Sequence, residues 1–525
     1  MVELEGWLPA LLAAVATLAV AQLLLRRSSF SSTLPTYGPF FLPPFVRGLL
    51  AVYSLGADED AFLQGLKRDY GAAVYIPWPM KTTFVLSIEG IRSVYAAPRR
   101  ILNFYPIRRE MQHTVFGAAP YWKDEYIMDG HLFPIHARGM SKANLAESLI
   151  RIVDILRVCL DELASKVDKA PQGEVTVDLI KWTVETFYDA TLAGFFGKEF
   201  LRQDHVNKQE LYDAFNAFDK SFPIVASGMV PPALLEKIPD VKKGREGFEV
   251  LTSTFQRWIR DGFHGLDAGI VRDMAEFATD HNLGEREAAK IMVADMWASM
   301  ANAPFMGVQL LLFLLQAPSD IRRDLLDEID SSLQAPTTEQ STFSHLGQSF
   351  PLLTSCITET LRVGTSIFSA RIVEEDFVIP AHGKYGQTVV PAGTRVLSAP
   401  RPHHLDDSFW NGTAKAWNGR RFLGGSANLA RSVYGFGGGV SRCEGEHIAG
   451  AELKAFISLL FSTFEVELVT PSNDGDSVRR VEVVGNEAPA LLPRRADGRV
   501  GMGAFQPAEG ARFDMRVRRR QPLSS

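Results

Sequence analysis

Apolar residues return every three or four positions over long stretches of this chain, a spacing that lines one face of an α-helix. Leu149 to Ala164 and Asp178 to Phe196 follow it, and from about Met140 it dominates. Strand-like runs are fewer and short: Tyr75 to Pro77 and Thr83 to Ile88. Met292 to Leu315 is apolar on all sides apart from Asp295, the composition of a helix buried all round. Phe215 to Leu235 breaks the periodicity. Phe215, Phe218, Phe222, Pro223, Met229, Pro231 and Pro232 crowd a polar neighbourhood and predict an apolar loop: a second membrane contact, a pocket lid, or a segment packed on the core. No repeat, low-complexity tract or internal linker appears, so the expected fold is one mainly α domain with small β-sheets.

The N-terminus adds a separate element. Trp7 to Leu25 carries no charge and has about the ~20 residues that span a bilayer. Glu3 and Glu5 precede it and Arg26 and Arg27 follow, which places the rest of the chain in the cytosol by the positive-inside rule. A cleaved signal peptide starts basic, whereas this start is acidic; a buried core helix is the other reading. Leu34-Pro35-Thr36-Tyr37-Gly38-Pro39 and Pro43-Pro44 cannot continue a helix and read as a stiff hinge. The expected organisation is residues 1–27 as membrane anchor, 28–48 as proline-rich hinge and 49–525 as catalytic domain.

Composition narrows the chemistry. Lys+Arg number 55 against 61 Asp+Glu, a net charge of −6, so no basic excess marks a nucleic-acid partner. The 3 cysteines, Cys159, Cys356 and Cys443, are too few for a disulfide framework and suit a reducing compartment. Cys159 and Cys356 read as small buried apolar residues. Cys443 differs: Phe436-Gly437-Gly438-Gly439-Val440-Ser441-Arg442-Cys443-Glu444-Gly445 opens an apolar helix carrying Ile448, Leu453, Phe456, Ile457, Leu460 and Phe461 on its inner side. Consecutive glycines let the backbone approach a flat object. Free amides at a helix N-terminus favour thiolate over thiol, which makes Cys443 a metal ligand or a nucleophile. His447 is the nearby base for a nucleophile, without an oxyanion-hole signature. Zinc would require further Cys or His at short spacing. A single thiolate behind a glycine-rich approach suits haem iron, whose remaining ligands come from the porphyrin.

Phe436, Gly439, Cys443 and Gly445 resemble the haem-binding signature of the cytochromes P450, Phe-x-x-Gly-x-Arg-x-Cys-x-Gly, with Ser441 in place of the usual arginine. Glu359-Thr360-Leu361-Arg362 is similar to the family's Glu-x-x-Arg, which alone would more often be a surface pair. Gly419-Arg420-Arg421-Phe422 resembles its Pro-Glu-Arg-Phe segment. The resemblance implies a cytochrome P450 fold behind an N-terminal transmembrane helix, haem b (iron protoporphyrin IX) on Cys443, and a buried Glu359, Arg362, Arg421 network. It implies Arg371 as a cation for a haem propionate, with Phe436 and Gly439 at the cofactor. With serine at 441, Arg442 either supplies the second propionate cation or faces the reductase.

The oxygen-activating helix departs from the family. Where an acid and a threonine usually stand, Trp297-Ala298-Ser299-Met300-Ala301-Asn302-Ala303-Pro304 offers Ala301 and Asn302. This run is similar to the subgroup of cholesterol 7α-hydroxylase, sterol 12α-hydroxylase and prostacyclin synthase. So are Phe218-Asp219-Lys220-Ser221-Phe222-Pro223, the stretch Arg499 to Pro507, and the basic end at Arg516, Arg518, Arg519 and Arg520. Asn302 is the expected catalytic group, whose amide can hold a water. Trp297 and Phe305 line the pocket or pack in the core. The implied function is a monooxygenase taking electrons from NADPH through NADPH-cytochrome P450 reductase and oxidising a bulky lipophilic metabolite. A haem-thiolate isomerase or dehydratase and a non-catalytic haem or lipid-binding protein are the alternatives. The implied location is the endoplasmic reticulum membrane, single-pass, with membrane lipid as a further partner and a secondary metabolite among the substrate classes.

Overall fold

The computed structural model describes residues 34–521 apart from 119–120, 205, 264–268, 334–349, 382–385, 425–426 and 470–477. The N-terminal apolar stretch, residues 7–25, therefore lies outside the described residues. The described chain gathers into two units, each assembled from separated segments.

The first unit is built on a five-stranded sheet in the order Ala73–Ile76, Thr82–Val85, Arg395–Ser398, Ser369–Val373, Leu102–Asn103. The central pairing of Thr82–Val85 with Arg395–Ser398 is parallel and the others antiparallel. Val74, Ile76, Phe84, Val85 and Val396 are fully buried in it. Helices α1 (Pro44–Ala57), α2 (Glu59–Tyr70) and α3 (Ile88–Ala96) belong to this unit. Pro44 opens α1, as proline does in a first turn where its missing N–H costs nothing. Part of the stretch read as hinge is thus helical. Thr83 to Ile88 divides: the strand ends at Val85, and Ser87 caps α3 by accepting from the Gly90 amide.

The second unit is helical: α4 (Ala146–Lys169), α5 (Leu179–Phe196), α6 (Lys208–Ala226), α7 (Pro239–Arg260), α8 (Gly284–Met300), α9 (Ala303–Leu315), α10 (Pro351–Gly364) and α11 (Glu446–Thr463). The periodicity that predicts α4 and α5 is realised, with Asp178 capping α5 through the amides of Ile180 and Lys181. A three-stranded antiparallel sheet orders Phe464–Val469, Asp514–Arg519 and Glu174–Asp178. The basic end is absorbed there: Arg518 pairs with Glu465 and Glu467, Arg519 with Asp168, and Arg520 with Asp330.

Two expectations are corrected. The loop read over Phe215 to Leu235 is helical as far as Ala226 and again over Pro232–Leu235, and Phe215, Phe218 and Phe222 are buried. The reason is Pro223, which sits inside α6 and removes one hydrogen bond without ending the helix. The run Met292 to Leu315 is two helices. Pro304 has no N–H to give the Met300 carbonyl, and Asn302, at φ −127 and ψ −45, stands between α8 and α9. The segment Gly284–Leu315 is long and apolar enough to cross a membrane, yet its most apolar window is 78% buried, which makes it a core element.

Candidate active site

In the first unit, the glycine loop lies against α3. A Cβ at Gly439, whose φ is +58, would sit 2.1 Å from the Tyr95 carbonyl oxygen, and one at Gly438 would sit 2.5 Å from the Tyr95 ring. The close approach demands glycine at both positions, and at Gly439 the backbone angle demands it too. Arg371 is fully buried beside them. It donates to the carbonyl oxygens of Val94 (3.1 Å) and Gly438 (2.9 Å) and to Ser441 Oγ (2.7 Å). The Ser441 hydroxyl donates onward to the Gly438 carbonyl at 3.0 Å. These acceptors are neutral, Arg371 Nε has no hydrogen-bond partner, and burial lowers the guanidinium pKa. A buried cation with neutral partners and an open donor is a seat for an anionic group.

In the second unit, the Cys443 amide donates to the Phe436 carbonyl at 2.9 Å, which closes the loop ahead of α11. Gly445 caps the helix behind it. Cys443 is exposed at the surface, yet enough protein surrounds its sulfur for desolvation to raise the thiol pKa. Desolvation thus outweighs the expected pull of the helix terminus toward thiolate. Glu444 and Glu446 raise the thiol further, while the Gly445 amide and Arg108 pull the other way. A coordinating metal ion ionises such a thiol outright. Among the described residues no group of three or more His, Cys, Asp or Glu could hold a metal ion. A lone sulfur therefore suits a metal that brings its other ligands with it, as haem iron does. The lone sulfur of this unit thus fits a haem iron, and the open cation at Arg371 is a feature of the other unit taken by itself.

Arg442 turns outward and pairs with Glu446, which raises its pKa. Phe436 is half-buried. Arg108 clamps Glu444 with two bonds of 3.1 and 3.2 Å and covers the Phe133 ring at 4.0 Å. Sequence reasoning misses Arg108, since nothing local ties it to a residue 336 positions away.

The three charged residues expected to meet do so. Arg362 donates to both Glu359 oxygens at 2.8 Å, and Arg421 Nε to the same oxygens at 2.9 and 3.0 Å. Arg362 also holds the carbonyls of His404, Ala414 and Ala416, and both guanidinium groups lie over the Trp410 ring at 5.0 and 5.7 Å. The network thus pins the segment from His404 to Arg421 onto α10.

Asn302 stands at the break between α8 and α9, where its Oδ1 accepts from the Ala504 amide at 2.9 Å. Trp297 stacks on Phe222, centroids 3.8 Å apart, and its indole N–H donates to Asp219. Phe305 is half-buried on α9. Asp295, the only acidic or basic residue of the apolar run, lies 3.4 Å from His136, and burial raises the acid's pKa and lowers the histidine's. A charge alone in an apolar helix signals that a partner exists; nothing in the sequence points to His136.

The family model described as Cytochrome P450 matches residues 44–493. The human 7-alpha-hydroxycholest-4-en-3-one 12-alpha-hydroxylase is 24% identical over 456 residues, covering 83% of this chain and 84% of its own. Cytochrome P450 7A1 of Sus scrofa is 24% identical over 387 residues, 68% of this chain and 70% of its own. Prostacyclin synthase of Bos taurus is 23% identical over 343 residues, 61% of this chain and 62% of its own. With a match over most of its length and an exposed cysteine at the signature position, the chain belongs to the cytochrome P450 family and is an oxidoreductase of the haem-thiolate monooxygenase class.

Proposed function

We propose that the protein hydroxylates, or oxidises further, a bulky lipophilic metabolite of the sterol or terpenoid class or another secondary metabolite. The observation that carries the reading is the Cys443 loop, a lone exposed cysteine closed by the Phe436 carbonyl. The 12-alpha-hydroxylase and 7A1 relatives support the substrate class. In this reading Cys443 would hold the iron of haem b through its sulfur. Arg371, steadied by Ser441, holds a propionate, and Phe436 and Gly439 shape the cofactor loop. When bound, the haem supplies the iron at which dioxygen is activated, and a thiolate ligand favours oxygen–oxygen cleavage.

The chain's own residues do the rest. Glu359, Arg362 and Arg421 keep the segment ahead of the cysteine loop in place. Asn302 meets the reacting molecules as a hydrogen-bond donor through Nδ2, because Oδ1 is committed to Ala504. Trp297 supports the site through its stacked ring, and Phe305 is a lining candidate. Arg442, exposed and paired with Glu446, belongs to the face that meets NADPH-cytochrome P450 reductase rather than to the propionate site. Residues 1–27 anchor the chain in the endoplasmic reticulum membrane, 28–48 link it, and 49–525 form the cytosolic catalytic domain, with substrate entering from the bilayer.

A second reading, an isomerase needing no external electrons, is raised by the prostacyclin synthase relative; Ala301 and Asn302 in place of acid and threonine are compatible with either reading. Turnover of candidate sterols under isotopically labelled dioxygen, with NADPH and reductase, separates the two. Label in the product supports the monooxygenase. Product formed without reductase and without label supports the isomerase.

A further inference from the structure

Three short stretches of the second unit, distant in sequence, converge on one carboxylate. Asp219 on α6 is buried and accepts from Trp297 Nε1 at 2.9 Å, from Gln506 Nε2 at 2.8 Å and from Arg499 at 3.1 to 3.2 Å. Its backbone carbonyl is engaged as well. Pro223, four residues on, has no N–H to give it, and Arg499 Nη1 donates there instead at 2.9 Å. The proline inside α6 thus creates the acceptor that the arginine satisfies. Carboxylate and carbonyl together hold both ends of the stretch from Arg499 to Gln506.

That stretch in turn holds the break between α8 and α9. The Ala504 amide donates to Asn302 Oδ1, and Gln506 Nε2 reaches the Ala301 carbonyl at 3.4 Å. A Cβ at Gly503 would lie 2.2 Å from Asn302 Oδ1, and its φ is +109, so the backbone can press against the amide only with glycine there. A side-chain amide at a helix break has two orientations that differ by a flip. An N–H aimed at it selects the one with oxygen toward the donor.

We propose that Asp219 is a positioning residue for Asn302: by tethering Arg499 and Gln506 it fixes the loop whose Ala504 amide sets which face of the Asn302 amide meets the reacting molecules. This also accounts for the joint presence of the Phe218–Pro223, Trp297–Asn302 and Arg499–Pro507 stretches, which would otherwise be unrelated pieces of sequence. Trp297 then serves as the tether from α8 to the same carboxylate.

The proposal rests on the reading of Asn302 as a group at the reaction centre, and two readouts keep the two ideas apart. In the detergent-solubilised, haem-loaded full chain, hydrogen exchange over residues 502–506 reports the Ala504 bond directly. The fraction of NADPH electrons released as hydrogen peroxide reports Asn302. Asp219→Asn should speed exchange over 502–506 on the order of tenfold, as removal of one buried hydrogen bond does. It should also raise the peroxide fraction to that of Asn302→Ala, with the double variant no higher than either. Asp219→Asn together with Arg499→Gln removes both charges, so it avoids a stranded guanidinium, and should keep the fast exchange in a folded protein. Wild-type exchange in a folded variant overturns the proposal. So does faster exchange with a wild-type peroxide fraction when Asn302→Ala raises it. If Asn302→Ala leaves the peroxide fraction unchanged, the reading of Asn302 fails. Exchange over 502–506 then decides the tether alone: faster supports it, unchanged overturns it.

Discussion

Replacing Glu452 by Gln should stabilise the protein, and by more as the pH rises. Glu452 lies on α11, 3% exposed, with the Thr191 hydroxyl of α5 donating to it at 2.8 Å. Burial pushes its carboxyl from 4.5 up to about 8, against which the Thr191 bond is a smaller pull downward. Between those values the folded protein keeps a proton that the unfolded chain has released. Stability therefore falls as pH rises through the window, by up to about 1.4 kcal/mol per unit. The total approaches about 5 kcal/mol, of which about 2 to 3 kcal/mol is lost between pH 6 and pH 8. Glutamine has the shape of the protonated acid and no charge to bury. Urea unfolding followed by far-UV circular dichroism, at pH 6 and pH 8, measures the difference. The gap between variant and wild type should be about 2 kcal/mol at pH 6 and wider at pH 8 by the amount given. A gap that does not change with pH would refute the reasoning, since it would mean that Glu452 ionises as easily folded as unfolded.

Glu359→Gln should cost about 3 to 5 kcal/mol, because it leaves Arg362 and Arg421 buried without their anion; thermal unfolding and haem retention on gel filtration measure it. Ser441→Ala removes the 2.7 Å partner of Arg371 and should cost about 1.5 to 3 kcal/mol, as bonds to charged groups do, with a higher apparent Kd for haem in apo-protein titrations. Gly439→Ala should give little soluble holoprotein, since its Cβ would meet the Tyr95 carbonyl at a φ that side chains avoid, whereas Gly450→Ala, with open space around it, should behave as wild type; expression yield and the Soret absorbance per mole of protein compare them.

Local signals carry far in this chain. The periodicity of α4 and α5 is a property of neighbouring residues, and so is the glycine run ahead of Cys443, although what Gly438 and Gly439 press against is Tyr95, which only the fold brings there. Glu359 and Arg362 are readable because three positions on a helix share a face. What stays hidden in the sequence is long-range. Asp219 looks like an ordinary acid in a helix, and only the fold brings Arg499 and Gln506 to it. Arg108 reaches Glu444 in the same way. Pro223 reads as a helix end because proline usually is one, while here the carbonyl it frees is satisfied from outside by Arg499. The helix terminus at Cys443 argues for thiolate, but desolvation, invisible in a linear chain, has the larger effect.

The central claim, an iron held by the Cys443 sulfur, is tested most directly by the carbon monoxide difference spectrum of the dithionite-reduced protein, wild type beside Cys443→His. The account predicts a Soret band at the thiolate position in wild type and its loss, with haem still bound, in the histidine variant. A thiolate-type band that survives Cys443→His, or a wild-type protein that takes up no haem, would contradict it.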